Sequence, residues 1–99
     1  MTIDCKQNGT ELTMFLHGRL DSTTASQLDA VIKNHIDGVK KLILDCTSLE
    51  YLSSAGLRVL LGTQKIMDKK GPMELIHVRE SVRDVLAVTG LLDILTVVS

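Results

Sequence analysis

Two neighbouring stretches constrain this chain most. The first is Lys41-Leu42-Ile43-Leu44-Asp45-Cys46, whose apolar centre is continuous and predicts a strand buried on both faces. The second is Tyr51-Leu52-Ser53-Ser54-Ala55-Gly56-Leu57-Arg58-Val59-Leu60-Leu61, in which two hydroxyls and two very small residues lead into an apolar helical run. Read together they predict a strand, a short loop, a serine pair and a helix start. Serine hydroxyls at that point can cap free backbone N–H groups. The same N–H groups, with the positive end of the helix dipole, suit a phosphate bound or attached there.

The flanking sequence fits elements around this unit. Thr2 to Gln7 reads as a short strand, and Asn8-Gly9 is a hairpin signal. Leu12, Met14 and Leu16 alternate through a second strand, antiparallel to the first and ended by Gly18. Asp21-Ser22-Thr23-Thr24 is a helix entry, with Thr24 and Gln27 spaced as a capping box. Leu28, Val31, Ile32, His35 and Ile36 then share one helical face, and Gly38 closes the helix. The third strand is expected over Val39–Cys46 and the second helix from about Ser54 to Lys69, stopped by Gly71-Pro72. Met73–Val78 reads as the fourth strand. Ser81 reads as the cap of a third helix bearing Val82, Val85, Leu86 and Thr89 on one face and ended by Gly90, and Ile94–Val98 as the last strand.

The order β-β-α-β-α-β-α-β predicts an α/β fold with a small, mostly parallel mixed sheet and right-handed crossovers. It leaves the strand order open. A chain of 99 residues suits one small domain, here 1–99.

Composition narrows the function. Aromatic residues are only 2% of the chain, so stacking platforms for single-stranded nucleic acid are not expected. The net charge is −1 with no basic block, which favours neither nucleic acid nor an anionic membrane. Met1 to Lys6 has no apolar signal core, and no apolar run is long enough for a membrane span, so a cytoplasmic protein is expected. Cys5 and Cys46, both in strand-like segments, read as reduced structural thiols. His17, His35 and His77 lack metal-ligand spacing, and no nucleotide-binding glycine loop or G-x-S-x-G elbow occurs, so neither metal nor cofactor is expected.

The central motif resembles the signature of the STAS domain, and is most similar to that of the bacterial anti-sigma factor antagonists. The resemblance rests on the strand ending in Asp45, the Tyr51-Leu52 pair and the run from Ser53 to Leu61. Weaker matches are Gly18-Arg19-Leu20-Asp21 with Thr24 and Leu28, and Val85-Leu86 through Thr89-Gly90-Leu91. It covers essentially the whole chain and implies the same order of elements, often with one more helix after the last strand. It also implies a non-enzymatic switch. The unphosphorylated antagonist binds an anti-sigma factor that is also a serine kinase; the kinase phosphorylates it and ends binding, and a PP2C-type phosphatase restores it.

In the family the common motif is Asp-Ser-Ser-Gly, with the serine beside glycine accepting phosphate. A gapless match places Ser53 at the aspartate, Ser54 at the first serine and Ala55 at the usual acceptor. Ser54, the hydroxyl nearest the helix, is therefore the expected acceptor, with Ser53 second. The resemblance also implies a partner-facing surface with Asp21, Ser53, Ser54, Gly56 and Arg58, where Gly56 would let a partner backbone approach. On local chemistry alone the serines and Asp21 read as helix caps. Arg58 opposes the dipole at a helix start, which suggests contact with a partner or phosphate. Two other readings stay open: a constitutive STAS subunit of a larger assembly, such as a lipid-transport ABC complex, and a small serine hydrolase with a triad assembled in space.

Overall fold

The computed structural model describes residues Met1–Val98. Its strands are β1 (Thr2–Asn8), β2 (Glu11–Leu20), β3 (Lys41–Leu52), β4 (Met73–Ile76) and β5 (Thr96–Val98). Its helices are α1 (Ala25–His35), α2 (Ser54–Met67) and α3 (Glu80–Val88), with a short 3₁₀ turn at Leu91–Asp93. The α/β class and the expected order are both found. The strands lie side by side in sequence order, β1-β2-β3-β4-β5. β1 is antiparallel to β2, and the remaining pairs are parallel.

This monotonic order decides where the core sits. Crossovers of one hand that step in one direction deposit all their helices on the same face of the sheet. Leu12, Met14, Leu16, Leu42, Leu44, Cys46, Met73 and Leu75 face the helices and are buried. They form one aliphatic cluster with Leu28 and Ile32 of α1, Leu57, Leu60 and Met67 of α2, and Val82 and Leu86 of α3. The alternate residues, including Thr13, Phe15, Ile43 and Ile76, are only half-buried. The expectation that β3 is buried on both faces is therefore corrected, because among the described residues no helix crosses the second face. Charged side chains span that face instead. Lys41 Nζ lies 3.8 Å from both Glu11 Oε1 and Glu74 Oε1, and His17 Nε2 lies 3.1 Å from Asp4 Oδ2.

β3 is also longer than expected. Pairing with β2 passes register shifts between Phe15 and His17 and between Gly18 and Arg19, then continues to Leu20↔Leu52. Asp45 Oδ1 supports the irregular stretch by accepting from Thr47 N at 3.0 Å and Thr47 Oγ1 at 2.6 Å. Strand thus runs directly to the serines, with no loop between. Other boundaries shift inward. α2 ends at Met67, β5 begins at Thr96, and β4 ends at Ile76, before His77 with a φ of 56°. Arg79, not Ser81, precedes α3, and no side chain caps it. Cys46 is buried as expected, and burial, with a smaller effect of the Asp45 charge, pushes its thiol up to about 12. Cys5, on edge strand β1, is exposed.

The single-sided core makes a direct prediction. Leu44→Ala should cost about 2–5 kcal/mol through a cavity on the covered face. Ile43→Ala, its neighbour on the open face, should cost roughly 1–2 kcal/mol. Urea unfolding of both variants checks this, and equal losses would mean that the second face is covered as well.

Candidate functional site

The site lies at the C-terminal ends of the parallel strands, where β2 enters α1 and β3 enters α2. The last residues of the two strands pair as Arg19↔Tyr51 and Leu20↔Leu52. Ser53 N–H donates to Leu20 O at 2.9 Å, which extends the β2–β3 ladder by one step and fixes where α2 begins.

The two serines differ in their surroundings. Ser53 is the extended N-cap of α2, half-buried, and its Oγ accepts from Gly56 N–H at a long 3.4 Å. Its carbonyl accepts from Leu57 N–H at 2.9 Å. Ser54 is the first helical residue and is exposed; among the described residues its hydroxyl makes no hydrogen bond. One serine is thus committed to the helix terminus, and the other presents a free hydroxyl beside N–H groups at the positive end of the dipole.

Gly56 sits inward of the serines. A Cβ there would lie 2.6 Å from Leu20 Cγ and 2.9 Å from Leu52 Cδ1. Its missing side chain is filled by these two leucines, so the expected role of Gly56 as a point of close partner approach is corrected: it is buried. Its smallness lets the α2 N-terminus sit down on the ends of β2 and β3.

Asp21 organises the entry of α1. Its Oδ1 accepts from Thr23 N at 3.0 Å, Thr23 Oγ1 at 2.7 Å and Thr24 N at 3.2 Å. The Thr24–Gln27 capping box is not formed, because both side chains are used elsewhere. Thr24 Oγ1 donates to Arg19 O and accepts from Asp21 N–H, while Gln27 Nε2 donates to Met1 O. Hydrogen bonds from the Thr23 side chain and backbone, and then from Thr24, hold the Asp21 carboxyl below the usual aspartate range despite slight desolvation. Asp45 is also lowered. Burial pushes it up, but hydrogen bonds from Thr47 and the charges of His77 and His17 outweigh this.

One contact at the site carries no local sequence signal. The Arg19 guanidinium lies 4.1 Å over the Tyr51 ring, with Nε 3.9 Å from Asp21 Oδ2. The Tyr51 residue remains 41% exposed. An aromatic–arginine pair on an open surface is a characteristic anchor for protein docking. Only the continuation of β3 past its irregular stretch brings Arg19 and Tyr51 opposite each other. Arg58 is exposed one turn along α2 from Ser54.

A concavity of about 490 Å³ at the ends of β4 and β5, lined by residues including His77 and Arg83, contains neither serine. Among the described residues no histidine hydrogen-bonds to Ser53 or Ser54, and no cluster of three or more His, Cys, Asp or Glu could hold a metal. No described helix is long and apolar enough to cross a membrane.

The free hydroxyl of Ser54, the Asp21 turn before α1 and the exposed Arg19–Tyr51 pair lie together at one end of the sheet. They lie on a fold found in known proteins. The STAS domain family profile matches residues 2–99. BtrV of Bordetella bronchiseptica, which is named as an anti-sigma factor antagonist, is 37% identical over 84 residues, covering 83% of this chain and 72% of BtrV. The chain belongs to the STAS domain family, among its anti-sigma factor antagonists. Solved structures share the fold. An anti-sigma factor antagonist from Mycobacterium paratuberculosis superposes with a TM-score of 0.88 at 23% identity, covering 97% of this chain and 83% of that one. The Bacillus cell-fate determinant SpoIIAA in its phosphorylated form superposes with a TM-score of 0.76 at 20% identity, covering 99% and 92%. Unphosphorylated SpoIIAA gives 0.77 at 19% identity, covering 99% and 88%.

Two outcomes test this geometry. Gly56→Ala should destabilise the fold by about 1–3 kcal/mol, since Leu20 and Leu52 must move; thermal unfolding reads the loss, and an unchanged melting temperature would show the contact to be slack. Asp21 should titrate below the usual aspartate range in a carboxyl NMR titration, and Thr23→Val should raise its midpoint. Its folded-state value is depressed, so the stability it adds is complete at neutral pH and is lost below about pH 4 as Asp21 protonates.

Proposed function

We propose that the protein is a partner-switching antagonist. Unphosphorylated, it docks on an anti-sigma factor that is a serine kinase; phosphorylation of Ser54 ends the complex, and a PP2C-type phosphatase restores it. In this reading the kinase transfers the γ-phosphoryl group of ATP to Ser54 Oγ, its base takes the hydroxyl proton, and ADP leaves. Hydrolysis of the phosphoserine then returns the hydroxyl and inorganic phosphate. The antagonist performs no catalysis and needs no cofactor. It would act in the cytoplasm, where kinase and ATP are found.

The observation that carries this reading is the contrast between the serines: Ser54 exposed and unbonded, Ser53 used as the helix cap. It supports Ser54 as acceptor even though a gapless match sets Ala55 at the usual position. SpoIIAA, which shares this fold, occurs in phosphorylated and unphosphorylated forms, which supports a phosphorylation switch here. The docking face would comprise Asp21, Ser53, Ser54 and Arg58, with Arg19 and Tyr51 beside them. Gly56 would act only through its packing under the serines.

A phosphate adds about −1.5 to −2 charges and three acceptor oxygens. At the N-terminus of α2 the dipole and free N–H groups favour it, so the fold should stay in place while the docking surface changes. The test is the intact mass of protein isolated from its native cells, before and after serine phosphatase, with the modified peptide mapped. One phosphoryl group is expected on Ser54, lost in Ser54→Ala and kept in Ser53→Ala. A group mapped to Ser53 would overturn the choice of acceptor. No modification, even with the kinase and ATP supplied, would sink the switch.

A further inference from the structure

The two kinds of cation in this chain are segregated. All four arginines lie toward the edge that carries the serines: Arg19 at the end of β2, Arg58 one turn into α2, Arg79 before α3 and Arg83 in its first turn. The seven lysines are elsewhere. Lys33 and Lys65 lie in the last turns of α1 and α2, and Lys69 and Lys70 follow α2. Lys40 and Lys41 lie at the start of β3, and Lys6 lies in β1. Lysines near helix C-termini sit where the dipole favours a cation. Arginines near helix N-termini sit where it does not, so their placement calls for another cause.

Arg58 and Arg83 make no ion pair among the described residues, but Arg83 has an acidic neighbour at helical spacing, Glu80, and Arg58 has none. Arg19 is held by Tyr51 and Asp21, and Arg79 Nη2 donates to Thr47 O at 3.4 Å. Arg58 is exposed and, among the described residues, pairs with no carboxylate. The residues three and four positions away along the helix are Ser54, Ala55, Leu61 and Gly62, none of them acidic. The nearby elements carry Asp21, Asp45 and Glu50, but Asp21 is engaged by Thr23, Thr24 and Arg19, and Asp45 by Thr47. One neighbour at helical spacing can become an anion: Ser54, four residues before Arg58 and on the same face of α2.

We propose that Arg58 reads the state of Ser54 by exchanging ion-pair partners. While Ser54 carries a hydroxyl, Arg58 is free to bind a carboxylate on the docked protein. When Ser54 carries a phosphate, the guanidinium pairs with it inside α2 and is withdrawn from the interface. Phosphorylation then removes an attachment point in addition to adding bulk and charge. This rests on Ser54 being the acceptor.

The test installs phosphoserine at position 54 by genetic encoding, which needs no kinase, and follows the phosphate by ³¹P NMR against pH. Arg58 favours the dianion, so Arg58→Gln should raise the second ionisation midpoint by roughly 0.3–0.7 pH units. The gap should close in 1 M NaCl. Arg58→Lys should retain part of the effect. Equal midpoints in wild type and Arg58→Gln would overturn the inference. A second measurement uses calorimetry with the kinase that modifies the protein. Arg58→Gln should weaken binding of the unphosphorylated form roughly threefold to tenfold. Phosphoserine at 54 should then cost less affinity in Arg58→Gln than in wild type. Additive losses would overturn the exchange. Absence of phosphate on protein from native cells strikes the proposed switch and with it this inference, whereas an unchanged ³¹P midpoint strikes the inference and leaves the switch standing.

Discussion

The parallel pairing of β2 with β3 is the interaction on which the site depends. The pair survives two register shifts and ends with Leu20 opposite Leu52. Those two leucines form the seat into which Gly56 is set, at distances that leave no room for a Cβ. The Ser53 N–H completes the ladder on Leu20 O. Together these contacts fix both the position and the rotation of the first turn of α2. Ser53 is turned inward to cap, Gly56 is turned down into the leucines, and Ser54 and Arg58 are left facing outward. Had the pairing stopped at Cys46, the Leu20–Leu52 seat would be lost and a flexible loop would carry the hydroxyls instead.

Much of this was legible in the chain, and what was not has physical causes. The helices were marked by periodic aliphatic positions and by Gly38, Gly71-Pro72 and Gly90. The extension of β3 was hidden because Thr47-Ser48-Leu49-Glu50 does not keep a two-residue period; each register shift resets which face a side chain takes. The open face of the sheet was hidden for another reason. An apolar Leu42-Ile43-Leu44 fits burial on either or both faces, and only the strand order, which the sequence does not write, leaves Ile43 without a helix above it. The entry of α1 offered rival caps, Asp21 and Thr24, within four residues. Neither side chain caps α1: Thr24 is its N-cap without a side-chain bond, and Asp21 closes the turn before it, where one carboxylate oxygen accepts two successive backbone N–H groups and a hydroxyl. The Arg19–Tyr51 contact joins residues far apart in sequence and could be foreseen only with the register of β2 on β3 in hand.

The same geometry favours a switch at the surface over one that remodels the fold. To carry a two-state protein from 1:99 to 99:1 a modification must distinguish the states by about 5.5 kcal/mol. A phosphate on the first residue of α2 supplies no such force against the native state, because the dipole and the free N–H groups favour an anion there. The surrounding leucine seat is close-packed and does not yield in small steps. In the proposed switch, discrimination would therefore arise where a partner's surface meets the helix terminus. A phosphate there would act on several contacts together: it would fill the space above Ser54, repel any carboxylate brought to the arginine-bearing edge, and offer Arg58 a nearer anion. Each effect alone is modest at an exposed surface. Confined to a few residues of one helix turn held by Gly56, they would act on the same docking event, so the proposed switch would work without moving the core.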